Sequence, residues 1–170
     1  MKRKTFLIAA GFVLLAVIIL AVYFINTPKQ TVSYKKSMLT DNISSFETAA
    51  KTAMALYEDG NEDGVWLFTV DTDASNLACY NGYEHLLYPL TEEQKKAFVT
   101  VKSVFRLDHL GFEYLYVNEN FATFGIANGR ASFIYSKSNQ KPDFVNLAEI
   151  TDKNRVYVEK ITDNWFYACK

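Results

Sequence analysis

The chain is poor in the residues that mark specialised classes: among 170 residues it has two cysteines, three prolines and seven glycines. With 49% apolar and 22% charged residues, that scarcity excludes a collagen-like, low-complexity or disordered chain. Two cysteines 90 positions apart exclude a disulfide-dense scaffold and a zinc knuckle. The two histidines, His85 and His109, stand 24 apart without an H-E-x-x-H motif, so no catalytic zinc spacing exists. Lysine and arginine form no run interleaved with aromatics, which removes the footprint of a nucleic-acid binder.

What the chain does have is aromatic rings and one long uncharged run. Thirteen Phe, eleven Tyr and two Trp fall mostly at strand-favouring spacing, which predicts a sheet-rich core or an aromatic-lined cleft. From Thr5 to Ile25, 21 positions carry no charge. As a helix that run would extend roughly 30 Å, the thickness of a hydrocarbon core, and it is too long for a secretory signal. Lys2, Arg3 and Lys4 crowd its amino end, so the positive-inside bias predicts a plasma-membrane signal anchor with residues 1–4 cytoplasmic. Everything from Asn26 onward is then expected outside. Removing those three cations from 18 leaves 15 against 19 acids, a mildly acidic outer domain in which an anionic ligand would need a local pocket.

Residues 26–39 are polar and include Pro28, which reads as a stalk, with the domain proper at 40–170. Ile43, Phe46, Ala50, Ala53, Met54 and Tyr57 follow one helical face over 42–58, with Ser44 and Glu47 at capping-box spacing. Thr91 and Gln94 repeat that spacing before a second helix at 92–105. Val65–Val70 and Leu77–Tyr80 read as paired strands. In the stretch Phe112–Ser136, Asn128-Gly129 signals a type I′ hairpin that sets Phe124 opposite Phe133 and Ala122 opposite Tyr135. A three-residue loop at Asn118–Asn120 would set Tyr114 opposite Phe124 and Tyr116 opposite Ala122. Arg155–Ile161 and Trp165–Cys169 read as a last hairpin. The fold class is therefore α+β, with helices packed on one face of a mainly antiparallel sheet. Its element order resembles extracytoplasmic PAS/Cache-like sensor domains, which implies a ligand pocket between sheet and helices, and it is similar to NTF2-like and cystatin-like cones.

Few motifs carry chemistry. Asp59, Asn61, Asp63 and Gly64 match the start of an EF-hand calcium loop, with the Val65 carbonyl as a further ligand, but position twelve is Val70 where calcium needs a bidentate carboxylate. Cys79 and Cys169 are candidates for a disulfide in an oxidising compartment. Ser33 with Lys36 and Ser138 with Lys141 match S-x-x-K without its partner motifs, and Leu77-Ala78-Cys79-Tyr80 lacks the T-L-x-T-C signature of sortases. Trp66 and Trp165 are candidates for a sugar-stacking platform and for plain core. The expectation is a membrane-anchored, noncatalytic outer domain for a small ligand, a wall component or a protein partner. The alternatives are a surface thiol enzyme using Cys79 with His85 or His109, and a structural subunit of a membrane complex.

Overall fold

The computed structural model describes residues 12–23, 29–60, 66–70, 74–81, 84–107, 109–142 and 156–170. Helix α1 covers 12–23, and its large apolar side chains, among them Phe12, Leu15, Ile18 and Tyr23, are all half or more exposed. Among the described residues no helix is long and apolar enough to cross a membrane. The described part of α1, twelve residues, extends about 18 Å at the helical rise.

Two further helices lead into the sheet, α2 at Lys36–Thr40 and α3 at Ile43–Asp59, followed by strands β1 at Trp66–Val70, β2 at Asn76–Asn81 and β3 at Glu84–Pro89. Helix α4, Glu92–Leu107, precedes β4 at Phe112–Val117, β5 at Phe121–Ile126, β6 at Ala131–Ser136, β7 at Tyr157–Thr162 and β8 at Trp165–Cys169. All pairings are antiparallel, in one eight-stranded sheet of order β3-β2-β1-β4-β5-β6-β8-β7. The α+β class and the two long helices are as the periodicity predicts. β3 was missed because its Glu84-His85-Leu86-Leu87 start has no clean alternation.

Helix α4 begins on a reciprocal capping box. The Thr91 N–H donates to Gln94 Oε1 at 2.9 Å, and the Gln94 N–H donates to Thr91 Oγ1 at 3.3 Å. The matching expectation for α3 is corrected: Ser44 lies inside the helix, and Asn42, at the cap position, uses its side chain to donate to the Met38 carbonyl. An upstream turn of helix competes for that side chain, so the chain does not need the box.

The inner face of the sheet packs against α3 and α4. Phe46 of α3 meets Phe105, Phe124, Phe133 and Trp165 in edge-on pairs with centroids 5.5, 5.6, 6.1 and 5.8 Å apart. Each such pair adds about 0.5–1.5 kcal/mol beyond simple burial, so this lattice dominates the packing. A smaller apolar cluster of Ile134, Phe166 and Ala168 sits on the opposite face.

The two hairpins around β5 differ in how they reached their register. Across the Asn128-Gly129 turn, Phe124 pairs with Phe133 and Ala122 with Tyr135, as predicted. Across the other turn the prediction is off by one, because Leu115 pairs with Phe124 and Val117 with Ala122. The Asn118 N–H bonds the Phe121 carbonyl, and Asn118 Oδ1 accepts from the N–H groups of Asn120 and Phe121. That closes a two-residue loop at Glu119-Asn120. A one-residue slip turns every side chain to the other face, so Leu115 and Val117 enter the core while Tyr114 and Tyr116 pack together on the outer face, their rings tilted with centroids 4.6 Å apart. A register shift between Phe112 and Tyr114 then returns Phe112 to the core face, opposite Ile126. The Tyr114 ring covers Gly125, where a Cβ would lie 2.0 Å from a ring carbon, so glycine is what lets the ring settle there.

The stretch read as a stalk is also corrected. Val32 and Tyr34 pack on the core, and the Tyr34 ring stacks on Tyr167 with centroids 4.1 Å apart. The Tyr167 hydroxyl donates to the Val32 carbonyl. Polar composition hid this because the apolar contacts come from Val32 and Tyr34, set among polar residues.

Candidate functional site

Beneath the sheet, where the PAS/Cache resemblance implies a ligand pocket, the rings of Phe46, Phe105, Phe112, Phe124 and Phe133 fill the space. Two open clefts lie at one corner of the domain, around Gly111. One cleft of about 520 Å³ is lined there by Thr31, Val32, Ser33, His109, Leu110, Gly111, Glu113, Ala127, Asn128 and Arg130. A second, of about 370 Å³, is lined by Val99, Lys102, Ser103, Arg106, Gly111 and Phe112. They meet at Gly111.

Three chain segments build this corner. The first leaves α4: the N–H groups of Leu110 and Gly111 both donate to the Phe105 carbonyl, and the chain turns through left-handed backbone at His109 (φ 57°) and Gly111 (φ 64°). The second is the β5–β6 turn, left-handed at Ala127 (φ 54°), Asn128 (φ 57°) and Gly129 (φ 69°). The two are tied together by the Ala127 N–H donating to the Leu110 carbonyl at 2.7 Å. Left-handed backbone disfavours a side chain by about 1–2 kcal/mol, so His109 and Ala127 hold strain that neighbouring bonds must offset. The third segment is 31–33. The Thr31 N–H donates to Cys169 Sγ at 3.3 Å, and the Thr31 hydroxyl donates to the Lys170 carbonyl. Arg130 is anchored at the rim, with its Nε donating to the Ala127 carbonyl at 3.2 Å.

A tyrosine cluster latches the third segment to the sheet. Burial and the nearby Glu159 carboxylate push the Tyr34 hydroxyl up to about 12. Burial, and then the neighbouring Cys169 thiol, raise the Tyr167 hydroxyl as well. The Tyr157 hydroxyl donates to Glu159 Oε2 at 3.0 Å. Both phenols therefore remain neutral donors at ordinary pH and hold the wall of the cleft in place.

The residues singled out from the sequence do not gather into one site. Cys79 and Cys169 are buried thiols on β2 and β8, with four strands between them in the sheet. Five strand spacings amount to roughly 24 Å, far beyond disulfide reach, so the candidate bridge is not formed. In the backbone register Cys79 pairs with Leu86 and Tyr80 with His85, whose side chain lies outside the described residues. His109 lies at the Gly111 corner, whereas Cys79 is in the core. Asp59 is the last residue of α3, while Asn61, Asp63 and Val65 lie outside the described residues. No group of three potential metal-binding side chains occurs among the described residues. Trp66 and Trp165 are buried in the core, so they offer no stacking platform.

Of the corner residues, the sequence singles out His109, Ser33 in an S-x-x-K match, Asn128 in its turn and Phe112 at the start of a strand, none of them as parts of one site. Lys102 and Arg106 were legible as one helical face by their four-residue spacing. Thr31 and Arg130 carried no signal, because the hydrogen bonds that hold them there are made only in the folded chain. Compared with known proteins, the chain matches no family profile, no curated sequence and no solved structure.

Proposed function

We propose that this chain is a membrane-held, noncatalytic binding domain whose ligand sits in the cleft at Gly111. The observation that carries the reading is that cleft: three separate segments are hydrogen-bonded into a polar concavity whose walls include two strained, non-glycine residues. The membrane part rests on the uncharged run Thr5–Ile25 beside Lys2, Arg3 and Lys4, and on the apolar side chains that α1 presents around its whole circumference. The thiol-enzyme alternative is weakened by the burial of Cys79 in the core, whereas His109 lines the Gly111 cleft.

Complementation of cells lacking the chain separates the two readings. Binding predicts that Cys79→Ala with His85→Gln restores the phenotype, while Ser33→Trp, which fills the cleft, abolishes it at unchanged melting temperature. The opposite pattern would defeat the binding reading and promote the thiol enzyme. In the same cells, external protease should degrade the domain, and survival of the domain in intact spheroplasts would reverse the topology.

A further inference from the structure

Leu107, at the last position of α4, is 78% exposed, more than any other large apolar side chain among the described residues, Phe12 of α1 included. A single exposed leucine needs no explanation. Two further observations give this one a meaning. It ends a stripe at three- and four-residue spacing, Lys96, Val99, Ser103 and Arg106, all exposed along the side of α4 that faces away from the buried Phe98, Val101 and Phe105. It also lies at the end of the domain where the chain arrives from its amino side. Thr31 is bonded to Cys169 and Lys170 at the end of β8, and Val32 is bonded to Tyr167. That strap lines one cleft with His109, Leu110 and Gly111, which follow α4 in the chain.

The fold separates this end from the other. The turns at Asn118–Asn120 and Asn164 lie at the opposite ends of the strands, and a six-residue strand extends roughly 17–20 Å. The uncharged run Thr5–Ile25 ends six residues before Thr31, so the connection between them reaches at most about 21 Å. A domain of this size is roughly 38 Å across. The connection is shorter than the domain it holds, which keeps the Gly111 end beside whatever holds that run. At such range a contact too weak to retain a free domain is sufficient, because a short linker makes it intramolecular at an effective concentration on the order of millimolar.

We propose that the outward stripe of α4, with Leu107 at its tip, rests on the surface of the bilayer that holds residues 5–25; this inference rests on the membrane part of the proposed function. Leu107 and Val99 enter the headgroup layer, while Lys96 and Arg106 lay their stems along the apolar side and keep their charges in water. The contact needs no excess of one charge. Arg106 and Arg130 share that end of the domain with Glu113, so an uncharged zwitterionic surface serves. The Gly111 cleft then lies at the membrane surface and not at the distal tip.

The test uses the full chain, nitrogen-15 labelled, at one copy per phosphatidylcholine nanodisc, so that a second copy cannot cover the same face. A small share of the lipid carries a spin label on its headgroup, and the relaxation enhancement of each amide is measured against the reduced label. The effect falls with the inverse sixth power of distance, so across a strand length Leu107 and Gly111 should be enhanced about tenfold more than Asn120 and Asn164. Val99→Asp with Leu107→Asp should lower the enhancement at Gly111 severalfold at unchanged melting temperature, and Leu107→Gln alone should lower it less. Equal enhancement at the two ends, greater enhancement at Asn120 and Asn164, or a gradient that these variants leave intact would overturn the proposal. A retained chain without the gradient loses the docking alone. A chain that the disc does not retain defeats the membrane reading itself, and the docking with it.

Discussion

The aromatic interior and the Gly111 corner are built from the same strands on opposite logic. In the interior, Phe46, Phe105, Phe124, Phe133 and Trp165 interlock without exposed surface, and every ring is held by several others. At the corner, the walls are held by backbone hydrogen bonds, the side chains point to solvent-accessible volume, and three non-glycine residues, His109, Ala127 and Asn128, accept left-handed backbone. Close packing resists change of even one methylene, whereas surface side chains away from such packing tolerate substitution within about 0.5 kcal/mol. Stability and binding are thus assigned to different places, and substitutions can separate them.

The largest effect belongs to the interior. Phe124→Ala removes a fully buried ring that touches Phe46, Phe112 and Trp165, and should destabilise by about 3–5 kcal/mol in urea unfolding. Thr123→Ala, one residue away on the outer face, should lose far less. Equal losses would mean that the interior is not organised around this face.

The intermediate effect lies at the turn that joins the two regions. Gly129 has φ 69°, so Gly129→Ala should lose about 1 kcal/mol. Ala127, at φ 54°, should gain a similar amount as Ala127→Gly. If neither substitution moves the unfolding midpoint, the corner stores no strain.

The contrast between the two hairpins explains what was legible. Asn128-Gly129 encodes its turn in the backbone preferences of two adjacent residues, so the Phe124–Phe133 register follows from local sequence. The Asn118 turn is set by one side-chain oxygen accepting two backbone N–H groups, a choice between two- and three-residue loops that composition does not decide. The error stayed hidden because the shift near Glu113 returned Phe112 to the expected face. The candidate site was legible in Lys102, Arg106 and His109, which share one helix and its exit, and in the Asn128-Gly129 turn. Its other walls arrive through contacts of high sequence separation, such as Thr31 with Cys169.

The smallest effect is absent at neutral pH. Tyr34 has its hydroxyl raised from 10.0 to about 12, so between those values the unfolded chain loses a proton that the folded chain keeps. Stability is therefore complete below pH 10 and falls as pH rises through the window, with Tyr167 acting in the same direction. A melting-temperature scan from pH 9 to pH 12 should show this fall, and Tyr34→Phe should flatten it. An identical slope in the variant would mean that the latch does not depend on the neutral phenol.

The separation of the two regions is tested most directly by one protein measured in two ways. The variant Ser33→Trp, whose side chain fills the cleft, is assayed for unfolding free energy and for complementation. The expected result is stability within about 1 kcal/mol of the parent with the phenotype lost. A variant that unfolds several kcal/mol more easily, or that complements fully, would contradict the assignment of binding to the Gly111 corner.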